Sequence, residues 1–286
     1  MDKDLRQQAI ALYDRFTHEG MERRTFMSRM VALAGSVAAA EALIGSIAAS
    51  PAVAAIVPAN DPRLTTRTQD LVGGYKAYVA EPRTRSLKAT VMVIHENRGL
   101  NDHTRDVARR VALAGYRAVA VDFLSPVGGT PANEDAARDA IGKLDLGKCV
   151  NDAVAMLDEL AKSSRGGKVG AVGCCWGGGF VNRLAVAAGD KLDAGVVYYG
   201  PAPDPSEAAK VQAPLAIHLA GLDERVNRTA FPWITALRQA GKTVRFYLYE
   251  GVNHAFNNDT SAERYNKAAA DLAWRRTLAF FRRYLR

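Results

Sequence analysis

The stretch VGCCWGGGF, from Val172 to Phe180, sets two adjacent cysteines and a tryptophan among four glycines. A thiol in this setting can be half of a redox pair, a soft metal ligand, or a nucleophile on a sharp turn. Geometry disfavours the first: neighbouring Cα atoms are about 3.8 Å apart, too close for an ordinary disulfide, so Cys174 and Cys175 close only a strained ring. Cys149 is the one other cysteine, an odd total that leaves no disulfide framework. CxxC and HxxxH spacings are absent, so no metal site is expected. The nucleophile reading remains. Gly173, Cys175 and Gly177 form GxCxG between the strand-like KVGAVG and the helix-like FVNRLAVAAGD, the form of a nucleophile elbow with cysteine in the serine position. A turn that lifts one side chain above a sheet forces unusual dihedrals and crowds the flanking strand and helix, so the positions two before and two after must lack a Cβ. Cys175 is the elbow residue, at a helix N-terminus where backbone N–H groups favour negative charge. Cys174 points into the sheet as an inert buried thiol.

The elements that must position this turn are legible from about Leu71 onward. ATVMVIHE (residues 89–96), YRAVAVDFL, GKVGAVGC, LDAGVVYYG, APLAIHLAG and KTVRFYLYE read as strands, most of them continuously apolar. Helical patterns alternate with them: HTRDVARRVALAG, NEDAARDAIGKLD, GKCVNDAVAMLDELAKS, FVNRLAVAAGD, RTAFPWITALRQAG and a long terminal helix. The alternation predicts an α/β fold with a mostly parallel central sheet and helices on both faces.

Ligands in such sheets bind beyond the carboxyl ends of the strands. The residues just after the apolar runs are Glu96, Asn97, Asp122, Cys175, Asp223 and His254. Nucleophile, acid and histidine then follow in the chain order of α/β-hydrolases, as Cys175, Asp223 and His254. Glu224 is the rival carboxylate, and a structural histidine is the alternative for His254. His95 and His103 precede the nucleophile and His218 lies within a strand. Glu96, at the end of a buried strand, needs a partner, either a thiol proton or Arg98. Tyr198, Tyr199 and Trp176 are candidates for a pocket wall, with core packing as the alternative.

From about residue 65 to the end the chain resembles the dienelactone hydrolase family, through VIHENRGLN, GYRAVAVDFL, VGCCWGGGF, VVYYG, GLDERV and GVNHAFNND. The resemblance implies an α/β-hydrolase fold and a Cys175, His254 and Asp223 triad that hydrolyses a carboxylic ester or lactone through an acyl-enzyme. It implies that Glu96 helps to activate the cysteine, that the backbone N–H groups of Asn97 and Trp176 form the oxyanion hole, and that arginines hold a substrate carboxylate. Arg138 matches one such position loosely, and Arg98 is a further candidate. The arginine expected after the histidine is replaced by Asn257 and Asn258. Tyr199 completes the expected substrate contacts. Other functions open to the same residues are a thioesterase or acyltransferase and a non-catalytic thiol sensor, although a sensor needs neither Asp223 nor His254.

The formal net charge of +8 is spread thinly. Its densest patch, AWRRTLAFFRRYLR, has the spacing of a helix with a core face and a basic solvent face, so no nucleic-acid partner is expected. No GxGxxG follows a strand and there is no P-loop, so no cofactor is expected. Residues 1–54 differ in composition. An amphipathic pattern, LRQQAIALYDRFTHEG, precedes Arg23 and Arg24, an alanine-rich stretch and an AVA at residues 52–54. This is similar to a twin-arginine export leader and predicts a periplasmic protein that meets the translocon transiently. The alternative, favoured by the long stretch before the arginines and by Glu41, is a cytoplasmic protein with an N-terminal helical extension. Residues 55–70 read as a linker and residues 71–286 as the catalytic domain.

Overall fold

A computed structural model describes residues 3–48, 55–83, 87, 89–164 and 167–286. Five strands, β3 (Thr90–Ile94), β4 (Arg117–Asp122), β5 (Val169–Cys174), β6 (Ala194–Tyr198) and β7 (Leu215–Ala220), are buried at every position. With β1 (Leu64–Leu71), β2 (Tyr75–Pro82) and β8 (Val244–Tyr249) they make one sheet in the order β1-β2-β4-β3-β5-β6-β7-β8. Pairing is antiparallel from β1 to β2 and from β2 to β4, and parallel elsewhere. The helices are α4 (Asp102–Leu113), α5 (Glu134–Gly142), α6 (Leu146–Lys162), α7 (Trp176–Ala187), α8 (Glu224–Gln239) and α9 (Lys267–Tyr284).

The two-residue period of a strand divides the apolar runs between two cores. Met92 and Ile94 join Leu157, Leu160, Leu184 and Trp233 of α6, α7 and α8. Val91 and Val93 join Val107, Val111, Phe280 and Phe281 of α4 and α9. Burial on both faces is why these strands read as continuous apolar runs.

The expected linker is partly a strand. Leu64–Leu71 forms the sheet edge, with only its two end residues buried, so LTTRTQDL carries no apolar alternation and is held by its backbone pairing to β2. The sheet therefore begins near Leu64 rather than at residue 71.

The N-terminal residues form α1 (Lys3–His18), α2 (Arg23–Ala34) and α3 (Val37–Ile47) around a small core of Ile10, Tyr13, Phe16, Phe26, Met30, Leu43 and Ile47. Phe16 stacks on Phe26 with ring centroids 4.2 Å apart. This unit is docked on the sheet domain through Arg264 and Asp14 (3.2 Å), Arg98 and the Tyr13 hydroxyl (3.2 Å), the Asn97 amide and the Thr17 carbonyl (3.2 Å), Ser261 and the Ile47 carbonyl (2.6 Å), and an Arg6–Glu263 ion pair. Arg23 and Arg24 open α2, and the AVA at residues 52–54 lies outside the described residues. Among the described residues no single helix is long and apolar enough to cross a membrane.

Candidate active site

The elbow is formed as its glycines require. β5 ends at Cys174, α7 begins at Trp176, and Cys175 between them has φ 56° and ψ −117°. A Cβ on Gly173 would fall on the carbonyl of Gly177, one on Gly177 on the carbonyl of Ile94, and one on Gly178 would lie 2.6 Å from the carbonyl oxygen of Tyr198. Among the described residues only Cys175, Tyr199 (φ 36°) and Ala255 (φ 64°) are non-glycine residues with positive φ. All three sit at this one place, and strain of this kind survives only where the surroundings over-determine the backbone.

His254, in the loop after β8, donates through Nδ1 to Asp223 Oδ2 at 2.5 Å, both residues being buried. Asp223 is fixed independently: its Oδ1 caps α8 by accepting from the Val226 N–H at 3.1 Å. Glu224, the rival carboxylate, is exposed. Against the desolvation of full burial, the Asp223 carboxylate and the Cys175 sulfur raise the pKa of His254 to about 10. Asp223 is held below its usual range because His254 outweighs the cost of its burial. His254 Nε2 is buried with no hydrogen-bond partner among the described residues. Cys174 is buried and burial pushes its thiol pKa well up, in keeping with an inert packing role.

Glu96, Asn97 and Arg98 follow β3 and line the same small chamber as Cys175 and His254. The Glu96 carboxylate accepts from Asn258 Nδ2 at 2.8 Å and from the Tyr199 hydroxyl at 3.4 Å, and makes no hydrogen bond to Cys175 among the described residues. Asn258 thus uses one of the positions where an arginine was expected to anchor this carboxylate. Tyr199 is not a cleft residue: it is fully buried behind Glu96, with its ring against His254 and Phe256. Arg98 is also turned away from a free anion-binding role, being committed to Asp135, the Glu134 carbonyl and the Tyr13 hydroxyl. The Trp176 N–H is at the first position of α7, where no preceding turn supplies a carbonyl. His95 stacks on Trp176 at 5.1 Å and accepts from the Phe123 N–H through Nε2, while His218 and His103 are engaged by Tyr249 and Asp259.

The chamber around Glu96, Cys175 and His254 holds about 20 Å³, room for about one water. On the other side of Cys175 a cleft of about 610 Å³ opens, walled by Phe16, Thr17, His18 and Met21 of the N-terminal unit and by Trp176 and Pro201. Arg138, Lys143 and Arg225 stand on its rim, with Asp139 the one acidic residue lining it among the described residues. Arg138 pairs with Asp135 and Asp139 and lies over Phe16, whereas Arg225 makes no ion pair among the described residues.

Sequence reasoning missed Tyr13, Thr17, His18, Arg225, Asn258 and Arg264. His18 Nε2 lies 3.9 Å from Cys175 Sγ, and its ring meets that of His254 edge-on at 4.9 Å. Burial, with His254 and Arg225 close by, lowers its pKa well below the usual value and keeps it neutral. Arg264 bonds Ser261 and Asp14 and covers the Tyr13 ring. The N-terminal residues were unreadable as site residues because their helix matches no strand-end position. The one available signal was the amphipathic pattern of LRQQAIALYDRFTHEG, which requires a surface to dock on.

The model of the dienelactone hydrolase family matches residues 75–285. The chain is 31% identical over 245 residues to a protein of Saccharolobus solfataricus named "Putative carboxymethylenebutenolidase", covering 73% of this chain and 93% of that one. Among solved structures it is similar to the "Putative Dienelactone Hydrolase" of Klebsiella pneumoniae, with TM-score 0.69, 25% identity and coverage of 77% of this chain and 99% of that one. The dienelactone hydrolase of Anabaena variabilis gives TM-score 0.62 at 22% identity, covering 78% and 100% of the two chains. An elbow cysteine, a carboxylate-backed histidine and a mostly parallel eight-stranded sheet therefore occur in a chain that belongs to the dienelactone hydrolase family, a family of α/β-hydrolase enzymes.

Proposed function

We propose that the protein hydrolyses a carboxylic ester or lactone through a Cys175–His254–Asp223 triad and an acyl-enzyme. The observation that carries this is His254 held between Asp223 on Nδ1 and Cys175 on its free Nε2 side, with Cys175 on a positive-φ elbow at the floor of a cleft. In this scheme His254, with its raised pKa, already holds the proton given up by the thiol, and the thiolate attacks the carbonyl carbon. The carbonyl oxygen, now carrying the displaced electron pair, is received by the N–H groups of Asn97 and Trp176. As the tetrahedral adduct collapses, the C–O bond breaks and His254 returns the proton to the alkoxide. Water, deprotonated by His254, then attacks the thioester and frees Cys175. Asp223 fixes the tautomer and supports the imidazolium. Glu96, with Asn258 and Tyr199 behind it, shapes the chamber wall facing the attacking water.

The rim points to substrates carrying negative charge. Arg225 makes no ion pair among the described residues and Arg138 is shared with two carboxylates, so we infer that Arg225 gives the main cation for a substrate carboxylate and Arg138 a lesser one. The name of the Saccharolobus relative supports a butenolide, an unsaturated lactone, as the substrate class. Because α1 supplies part of the cleft wall, its packing supports retention of residues 3–48 as an extension of the working enzyme rather than their removal as a leader.

The test is steady-state hydrolysis of p-nitrophenyl acetate, a dienelactone carrying a carboxylate and a neutral lactone, by the full chain and by Cys175→Ala. Turnover abolished in Cys175→Ala supports the cysteine hydrolase. Equal rates for the two proteins on every substrate would overturn it.

A further inference from the structure

His18 has no step in the hydrolytic scheme, yet it is brought from 157 residues earlier in the chain to within 3.9 Å of the Cys175 sulfur. One ring nitrogen from His18, one from His254 and the Cys175 sulfur all lie within 4.8 Å of one another. The nitrogen open on His254 is Nε2, since Nδ1 is held by Asp223, and among the described residues that buried Nε2 makes no hydrogen bond within 4.0 Å, the Cys175 sulfur lying on that side of the ring. We propose that His18, Cys175 and His254 form a binding site for Zn²⁺ with an open fourth position, built jointly by the N-terminal unit and the catalytic domain.

Three features of the geometry lead to this metal. The donors are one thiolate sulfur and two imidazoles with no carboxylate among them, a set that suits zinc and excludes the oxygen-seeking Mg²⁺ and Ca²⁺. Tetrahedral zinc, with bonds of about 2.3 Å to sulfur and about 2.0 Å to nitrogen, places sulfur and nitrogen about 3.6 Å apart, so the 3.9 Å between His18 and Cys175 closes with a shift of a few tenths of an ångström, and the other separations, all within 4.8 Å, close by side-chain movements of about 1 Å or a little more. A carboxylate already stands behind one ligand, as Asp223 behind His254, the outer-shell arrangement that fixes ring orientation in metal sites. On binding, the Cys175–His254 pair gives up one proton to solvent, the sulfur–zinc bond forms, both histidines bind through neutral nitrogen lone pairs, and water fills the fourth position. No electron is transferred. Bound metal occupies the sulfur and fastens α1 over the chamber, so Zn²⁺ blocks hydrolysis and resists displacement of the extension.

The spacing of residues gave no sign of this site. The exclusion of metal on the absence of short CxxC or HxxxH repeats holds for ligands on one local segment, whereas these three come from the end of α1, the elbow and the loop after β8.

The experiment is titration of the full, metal-free chain with Co²⁺, followed by absorption spectroscopy and then by displacement with Zn²⁺. The expected result is a single equivalent that gives the strong visible bands of tetrahedral Co²⁺ and a sulfur-to-metal charge-transfer band in the near ultraviolet. Cys175→Ser abolishes the charge-transfer band, and Asp223→Asn weakens binding about 10–100-fold. His18→Ala and the bulkier His18→Gln each weaken it by more than that. A wild-type spectrum without the charge-transfer band overturns the proposal, as does unchanged affinity in both His18 variants. The spectrum is independent of turnover, so failure of the metal site and failure of the hydrolase reading are told apart by assaying hydrolysis separately in the presence of a chelator.

Discussion

Asp223→Asn isolates the charge behind His254 from everything else that Asp223 does. In the native chain the two carboxylate oxygens have separate partners, with Oδ1 capping α8 through the Val226 N–H and Oδ2 on His254 Nδ1. Asparagine is an equally good cap, so the amide oxygen keeps α8 intact and the NH₂ group is presented to His254. That donor forces the proton of the imidazole onto Nε2, the tautomer unable to accept from the thiol. The loss in kcat expected from the same exchange in a hydrolytic triad is about 10⁴-fold, equivalent to about 5 kcal/mol of barrier. Stability falls too, because removing one charge of a buried pair costs about 3–5 kcal/mol. The pH dependence follows from the two shifts. His254 has its pKa raised from 6.5 to about 10, so its contribution is complete below pH 6.5 and is lost as pH rises toward 10. Asp223 has its pKa lowered from 3.8, so its contribution is present above that value and is lost as pH falls below it. The stability gap between wild type and Asp223→Asn should therefore be widest near pH 4–6.5 and close toward pH 10. Urea unfolding at a series of pH values, beside p-nitrophenyl acetate turnover, measures both. A gap that is constant from pH 6 to 10, or turnover within about tenfold of wild type, refutes the assignment of this pair as a carboxylate supporting an imidazolium.

Arg225→Met should raise KM for a carboxylate-bearing lactone about 10–100-fold, the loss of one charged hydrogen bond, with a neutral ester unaffected; equal effects on both would deny Arg225 its place at the anion. Gly178→Ala sets a Cβ 2.6 Å from the Tyr198 carbonyl oxygen and 3.0 Å from the Gly200 Cα, so it should lower stability by about 1–3 kcal/mol, whereas Gly45→Ala, in α3 with nothing within 4 Å, should raise it by about 0.5–1 kcal/mol in the same unfolding assay. Phe26→Ala removes the ring stacked on Phe16 and should cost the N-terminal unit about 3–5 kcal/mol, read as loss of hydrogen-exchange protection in α1 together with loss of turnover, and activity that survives the melting of α1 would show that this wall is dispensable. In the native host, intact-mass measurement of the purified protein should find residues 3–48 present, and a product beginning after residue 54 would establish cleavage instead.

The parallel part of the sheet was readable because strands buried on both faces must be apolar nearly throughout, as Val91 to Ile94 and Ala118 to Val121 are, and because helices at a period of 3.6 alternate with them. The elbow was readable for a local reason: a sharp strand-to-helix turn leaves no space for a Cβ at Gly173 or Gly177, and that demand is written in adjacent residues. The order of Cys175, Asp223 and His254 was readable since each follows its own strand. The edge strand Leu64–Leu71 was not, because an edge is held by backbone hydrogen bonds that leave no apolar signature. Nor was the true position of Tyr199, whose place at a strand end fits a cleft wall and a buried prop for Glu96 equally well until the surrounding loops are in place.

The sequence by itself determined the α/β architecture, the nucleophilic cysteine candidate and the carboxylate and histidine that follow it, since each depends on residues close together in the chain or on a period within one element. Only the tertiary structure decided which charges face one another. It gave Arg98 to Asp135, Asn258 to Glu96, and His18 to the Cys175 sulfur, and left Arg225 unpaired on the rim among the described residues. The place of His18 depends on the docking of α1 on the sheet domain, and the others on loops that meet only when the sheet is assembled, so contacts between segments so far apart in sequence have no local pattern to announce them.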